Sequence, residues 1–418
     1  MTLNNESISV VDKMNSTFSN ELLNLKESAK KQFDDFPTKK HESWKYLNLD
    51  ETLNLDLNIT PSKAYSLLDQ AYSVQLFQNK VLIADNSFES GLLIQSFSDY
   101  SANSDQSLLA SMTSGFNQTP FSYLNTVNFE EGVIISAAQS SVIQKPVLID
   151  LQLLASEDKA KGSHHRVLVH VAKKAKLTVY LRHVSYLETP ELINNYFDFT
   201  VEDEAELELV CLQEGDQPYL FNTFQFQLNE QSQLNFVHFL RDGLTTRHDI
   251  NLNFHKENAN AKLSGIALLA GESKFYNHLA VNHKVGNCEC EQTFKTILTN
   301  KALSEFSGVV SVDKYAHGTN SSQSNPNLLL SDSARALSRP QLKIDADDVE
   351  CAHGSTIGQL NDNEVYYLQS RGLTLNAARA LLTFGFAEDI VQRVKETSIA
   401  LTLEKILRES LNGYVTNN

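Results

Sequence analysis

The chain opens on a helical period. Ile8, Val11, Met14, Phe18, Leu22, Leu25, Ala29 and Phe33 recur at steps of three or four, which places them on one stripe of an amphipathic helix. Pro37 ends it. The stretch from Phe36 to Tyr46 breaks the period and holds Trp44, read as a buried anchor. A mixed region follows to about Gln144, with a short helix expected from Ser104 to Gly115.

From Lys145 the period falls to two, as in Arg166-Val-Leu-Val-His-Val171 and Glu206-Leu-Glu-Leu-Val210. That alternation is the mark of strands. A phrase of small residue, polar residue, leucine recurs at Ala175-Lys-Leu177, Ala205-Glu-Leu207, Ser232-Gln-Leu234 and Ala261-Lys-Leu263, its leucines 30, 27 and 29 residues apart. Turn formers such as Glu214-Gly-Asp216, Arg241-Asp-Gly243 and Ala270-Gly-Glu272 punctuate each interval. A meandering sandwich would carry turns at similar density. The fixed period favours a solenoid, in which equivalent positions of successive coils stack into one interior column.

After about Leu360 the helical period returns. Thr374 is placed to cap a helix carrying Ala378, Leu381, Leu382, Gly385, Phe386, Ile390 and Val394, and a last helix spans about Ile399 to Leu411. A solenoid ends in unpaired strand edges that need cover. These helices are expected to cap one end. The chain therefore divides into a helical and mixed region 1–144, a parallel β-helix 145–360 and a helical region 361–418.

Charge narrows the partners. Thirty-five basic against fifty-one acidic residues leave a net charge of -16, which repels nucleic acid and anionic membrane surfaces. No window approaches the roughly 18 apolar residues of a membrane span, and the start, with Glu6 and Asp12, lacks the pattern of a secretory or transit segment. Four cysteines in 418 residues are too few for a disulfide framework. The reading is a reducing cytoplasm.

Walker-type, GxGxxG, HExxH and GxSxG motifs do not occur, so no enzyme class has motif support. A β-helical carbohydrate-active enzyme stays as an alternative only because acidic pairs are easily assembled on such a fold. Cys288 and Cys290 could share one side of a strand as thiolate ligands, or sit as small buried hydrophobes. Cys351 and His353, followed by Gly354, put a thiol and an imidazole on one side of an extended segment. Zinc or an iron-sulfur cluster wants about four ligands. This half-site needs another chain or a labile ligand to complete it.

At these residues the chain resembles the SufB/SufD family, on its SufD side. The blocks that carry the resemblance are Asn325-Pro-Asn-Leu-Leu-Leu330, Arg339-Pro-Gln-Leu-Lys-Ile344, Ala346-Asp-Asp-Val-Glu-Cys-Ala-His-Gly354, Tyr366-Tyr-Leu-Gln-Ser-Arg-Gly372 and Ala378-Arg-Ala-Leu-Leu382 with Gly385-Phe-Ala387. Phe36-Pro, Glu42-Ser-Trp-Lys-Tyr46, Leu124-Asn125 and Lys145-Pro146 extend it upstream. The resemblance implies a right-handed parallel β-helix between helical regions, acting as a non-catalytic scaffold in iron-sulfur cluster assembly. It further implies pairing with SufB along the β-helices, and binding of the ATPase SufC by the C-terminal helices, in a complex of one SufB, two SufC and one SufD. A SufB-like identity is the near alternative, though SufB lacks the Cys-x-His-Gly signature.

His353 is the residue the resemblance offers as a ligand for iron or a nascent cluster at the SufB interface, with Cys351 beside it; a neutral imidazole suits iron. No cofactor is expected to stay on this chain alone. Arg371, Gly372, Arg379 and Phe386 are the expected ATPase contacts. Ala352 stands where the family commonly has serine, and Cys290 has no family counterpart. A flavin on the complex and a homodimer of the isolated chain are left open.

Overall fold

A computed structural model describes residues 16–35, 47, 71–77, 80–83, 88–101, 119–151, 162–185, 191–215 and 218–416. Ile8, Val11, Met14, Trp44 and the helix expected at 104–115 lie outside these residues. Helix α1 (Ser16–Asp34) is followed by β1 (Tyr72–Phe77), β2 (Lys80–Ile83), β3 (Leu92–Ser96), α2 (Phe97–Ser101) and α3 (Pro120–Asn128). The strands then run β4 (Gly132–Ala137), β5 (Val147–Leu151), β6 (Ser163–Val171), β7 (Lys176–Ser185), β8 (Glu191–Val201), β9 (Glu206–Gly215), β10 (Pro218–Leu228) and β11 (Gln233–Arg241). They continue as β12 (Thr245–Phe254), β13 (Asn260–Leu269), β14 (Lys274–His283), β15 (Glu289–Leu298), β16 (Leu303–Val312), β17 (Thr319–Leu329), β18 (Arg335–Ile344) and β19 (Val349–Gly358). Helices α4 (Asp362–Ser370), α5 (Leu375–Val391) and α6 (Thr397–Thr416) close the chain.

From β4 onward each strand pairs in parallel with the strand two places on, so even strands build one sheet and odd strands the other. This is a parallel β-helix of about seven coils. Its opening end is finished by antiparallel pairs, β1 with β2 and β3 with β4. The mixed region before residue 145 thus contributes strands to both sheets.

Register explains the repeat. Leu177 pairs with Leu207 and Leu207 with Leu234, one above another as the period requires. Leu263 departs from the expectation. Ala261 sits over Leu234, and Leu263 heads the next inward column, above Phe236, Leu209 and Val179. The coil from β11 to β13 keeps a 27-residue pitch, so the phrase slips by two positions, which leaves its leucine on the same inward face. On the opposite wall Phe197 stacks on Phe224 at 5.0 Å and Phe199 on Phe226 at 4.9 Å. Each of these buried side chains contributes about 1.5 to 3 kcal/mol.

One corner of each coil except the last turns through a left-handed residue: Ser140, Lys174, Glu204, Gln231, Asn258, Asn287 and then Gly318. Such φ values cost a non-glycine residue roughly 1 to 2 kcal/mol. The offset is visible in the hydrogen bonds. Lys174 N donates to Asp203 O at 3.0 Å, Glu204 N to Glu230 O at 2.7 Å and Gln231 N to Glu257 O at 3.1 Å, each reaching the next coil. The left-handed turn aims the amide along the solenoid axis.

The C-terminal helices correct an expectation. They do not cap the end of the solenoid. Ala387, Ile390, Ile399, Leu403 and Leu407 lie on the outer face of the odd-strand sheet, against Val210, Leu212, Val237, Phe239 and Ile266. The physical reason is that these strands are apolar on both faces, so the outer one needs cover more than the edges do. Thr374 is the N-cap of α5 as predicted, its hydroxyl accepting from Ala377 N at 3.2 Å. On the even-strand sheet α3 does the covering: Phe121 stacks on Phe221 at 3.7 Å, and Asn125 donates to the carbonyls of His165 and Asn194.

Burial holds several imidazoles neutral. It lowers His165 and His183 to about 4 and His164 and His238 to about 3, from an ordinary 6.5, with neighbouring cationic groups adding to the effect at His164. The unfolded chain takes up protons below about pH 6.5 while the folded chain does not until about pH 4. Stability is therefore full above pH 6.5 and falls as pH drops through that window. A urea-unfolding midpoint that declines between pH 7.5 and 5 is the expected result, and a flat midpoint would contradict the burial of neutral histidines.

Candidate functional site at the open end

The interior columns change character as they approach β19. The column of Leu177, Leu207, Leu234 and Ala261 continues as Cys290, Ser321 and Cys351. Its neighbour, Val179, Leu209, Phe236 and Leu263, continues as Gln292, Gln323 and His353. These two columns are thus polar in the last coils, while Phe306, Val310 and Val312 keep the facing wall apolar. Gln323 donates to Gln292 Oε1 at 2.7 Å, and Gln292 donates to Cys290 Sγ at 3.7 Å. Gln323 reaches the opposite sheet beneath Gly308, where a Cβ would clash with its amide.

Cys351 and His353 share one side of β19, as the sequence predicted. Both belong to the inward set, and they meet solvent because no further coil covers them among the described residues. His353 is exposed and Cys351 half-buried. Burial pushes the Cys351 thiol up, partly opposed by a hydrogen bond from the Ser321 backbone, so metal binding there releases a proton. A side chain at Gly354 would meet nothing within 4 Å, and the residue lies within a strand. Neither a turn nor packing inside this chain requires the glycine; close approach by another chain would.

Strands β18 and β19 are the terminal members of their sheets. Ile344 and Ile357 are exposed along them, and alternate backbone groups of each strand face away from the coil below. Pro326 sits inside the preceding strand, where its missing N–H leaves Phe294 O without the ladder donor. Asn325 supplies one, its Nδ2 donating to Phe294 O at 2.8 Å. The Asn325-Pro326 pair thereby keeps the sheet intact beneath the open coil. Pro340 lies in the edge strand itself, where a proline is tolerated.

The other cysteines are interior. Cys211 and Cys288 are fully buried, Cys288 within 3.4 Å of the carbonyls of Lys256 and Gly286. Burial raises all three buried thiols, Cys290 to about 12. Cys288 and Cys290 behave as small hydrophobes, Cys290 at the boundary where the column turns polar. Among the described residues no group of three or more His, Cys, Asp and Glu side chains is arranged to hold a metal. The open end brings a thiol and an imidazole together, with no third group of that kind beside them among the described residues.

The predicted ATPase contacts are distributed unevenly. Arg371 is exposed, stacked on Tyr367 at 5.2 Å and donating to its hydroxyl at 3.2 Å. Gly372, with φ +98°, turns the chain from α4 into α5, and Arg379 is exposed on α5. Phe386 is half-buried and faces the sheet, with Lys295 Nζ 4.9 Å from its ring and bonded at 2.9 Å to its carbonyl and at 2.8 Å to Asp389. It anchors the helix. The apolar surface that is left over belongs to residues the sequence reading did not single out as contacts: Leu381, 51% exposed, with Tyr366, Tyr367 and Leu375.

Fold and end together define a parallel β-solenoid whose terminal strand carries a thiol and an imidazole side by side. The family model for the SUF system FeS cluster assembly SufBD core domain matches residues 153–386. The chain belongs to the SufB/SufD family. It is 25% identical over 376 residues to the iron-sulfur cluster assembly protein SufD of Escherichia coli, covering 87% of this chain and 86% of that one. It is 27% identical over 390 residues to a SufBD family protein of Synechocystis, covering 87% and 85%. Among the described residues no helix is long and apolar enough to cross a membrane.

Replacing Asn325 by alanine leaves the Phe294 carbonyl buried without a donor. A loss of about 1 to 3 kcal/mol in urea unfolding is expected; wild-type stability would mean the side chain does not stand in for the proline amide.

Proposed function

We propose that this chain is a non-catalytic scaffold subunit of cytoplasmic iron-sulfur cluster assembly, and that it works through the open end of its solenoid. The observation that carries the reading is that both sheets stop at uncovered strands, β18 and β19, with Cys351 and His353 in their last inward positions. An edge of this kind is completed by strands from another chain. A SufB-type subunit is the partner the family implies. When it pairs there, its own residues face His353 and Cys351 across the joint. Iron or a nascent cluster is the cargo held between the subunits, with His353 as the ligand from this side and Cys351 as its neighbour. Without that partner the same edges are open to a second copy of this chain.

The C-terminal helices carry the second contact. An ATPase of the SufC type would dock on α4 and α5 through Tyr366, Tyr367, Arg371, Arg379 and Leu381, with Gly372 setting the angle between the helices and Phe386 fixing α5 to the sheet from behind. Nucleotide-driven movement of the ATPase would then be transmitted to a rigid solenoid and so to its open end.

His353→Ala should leave the complex intact on co-purification and lower the activity of cluster-dependent enzymes in cells; unchanged activity would reduce the open end to a structural contact. Leu381→Asp should weaken ATPase co-purification severalfold with an unchanged melting temperature. Phe386→Asp, by contrast, should lower the melting temperature, because it places a charge against the sheet. The assignment of the ATPase face fails if Leu381→Asp retains the ATPase at wild-type yield.

A further inference from the structure

The lumen is not apolar throughout. At the corner where odd strands give way to even ones, His183, Gln213, Asn222, His238, His248 and Asn277 are each no more than 2% exposed. They follow one another up the coils: His183 pairs with Gln213 on the odd side, and Asn222, His248 and Asn277 stack on the even side. Gln213 Oε1 lies 2.8 Å from His248 Nε2 across the corner, and the rings of His238 and His248 stand 4.9 Å apart, edge to face. Nine of their polar atoms have no protein partner: both ring nitrogens of His183 and of His238, His248 Nδ1, Gln213 Nε2, Asn222 Nδ2, and both amide atoms of Asn277.

Left bare, so many buried donors and acceptors would cost more than the net stability of an ordinary domain. Gly265 lets the His238 imidazole lie against its backbone, where a Cβ would come within 2.5 Å of the ring. What fills the corner must be small, must both donate and accept, and must be uncharged, since burial keeps these imidazoles neutral. A metal ion does not meet the description, because no three ligating groups converge among the described residues.

We propose that this corner of the lumen binds a file of ordered water, about three molecules at roughly three hydrogen bonds each. The file is internal. On the even side the column continues past Asn277 as Phe306, and on the odd side Thr296, Asn325 and Asn327 bond one another and the Phe294 carbonyl, so the file at this corner ends there. The water supplies the bonds that the polar corner cannot make with itself.

Oxygen-17 magnetic relaxation dispersion on the full chain counts internal waters with long residence times. His238→Leu, which removes two of the unpartnered atoms, should lower the dispersion amplitude by at least one water per chain while the circular dichroism spectrum is retained. Asn277→Leu, measured in parallel, should do the same and keeps the test open if the first variant does not fold. Amplitudes equal to wild type in a folded variant would overturn the proposal. So would a stoichiometric metal in the purified chain that is lost in His238→Leu.

Discussion

Every feature of this chain depends on one constraint, that inward side chains of successive coils lie in register. A coil cannot bury its own apolar face; it does so only on the coil below. Leu177, Leu207 and Leu234, with the paired phenylalanines opposite, satisfy that condition through the middle of the molecule. The same condition makes the last coil exceptional. At β19 the register still assigns inward positions, and nothing lies above to bury them. The polar replacements in the final coils, Cys290, Ser321, Gln292 and Gln323, prepare for that ending, because an apolar column running to an uncovered coil would present a hydrophobic patch to solvent. Cys351 and His353 are the ends of two such columns, which is why a thiol and an imidazole are held close together on a rigid strand instead of on a loop.

The outside of the solenoid follows from the inside. Odd strands are apolar on both faces, and α5 and α6 take up the outer one; Lys295, with its ammonium on Phe386 and Asp389, pins the start of that packing. The helices are thereby held along the flank, and among the described residues they do not cover the end. Had they capped the end, the Cys351 and His353 pair would be inaccessible. Flank and tip are thereby kept apart, helices covering the one and strand edges ending the other.

Much of this was legible in the residues. The period of about 29, the strand alternation of the body and the cap at Thr374 required nothing but spacing. The pairing of Cys351 with His353 on one side of a strand followed from parity. Other features were hidden for physical reasons. Leu263 slipped by one pair because the phrase is local while the pitch of a coil is set by its turns. Four of the left-handed corners fall on serine, lysine, glutamate and glutamine, whose identity gives no sign of such a φ, and only Asn258, Asn287 and Gly318 are of types that favour it. The flank position of the C-terminal helices did leave a trace, in runs such as Leu209-Val-Cys-Leu212 that break strict alternation and announce two buried faces. The buried histidines left none, since an isolated polar residue in a strand reads as surface.

The measurement that tests the account most directly is thiol accessibility in the native full chain. Cys290 and Cys351 occupy one column, two coils apart, and the account has the first sealed and the second at the open end. Brief treatment with a maleimide, followed by peptide mapping, should label Cys351 alone, with Cys211, Cys288 and Cys290 reacting only after unfolding. Labelling of Cys290 at a rate comparable to Cys351, or protection of Cys351 in the isolated monomer, would contradict a filled lumen ending in an uncovered coil.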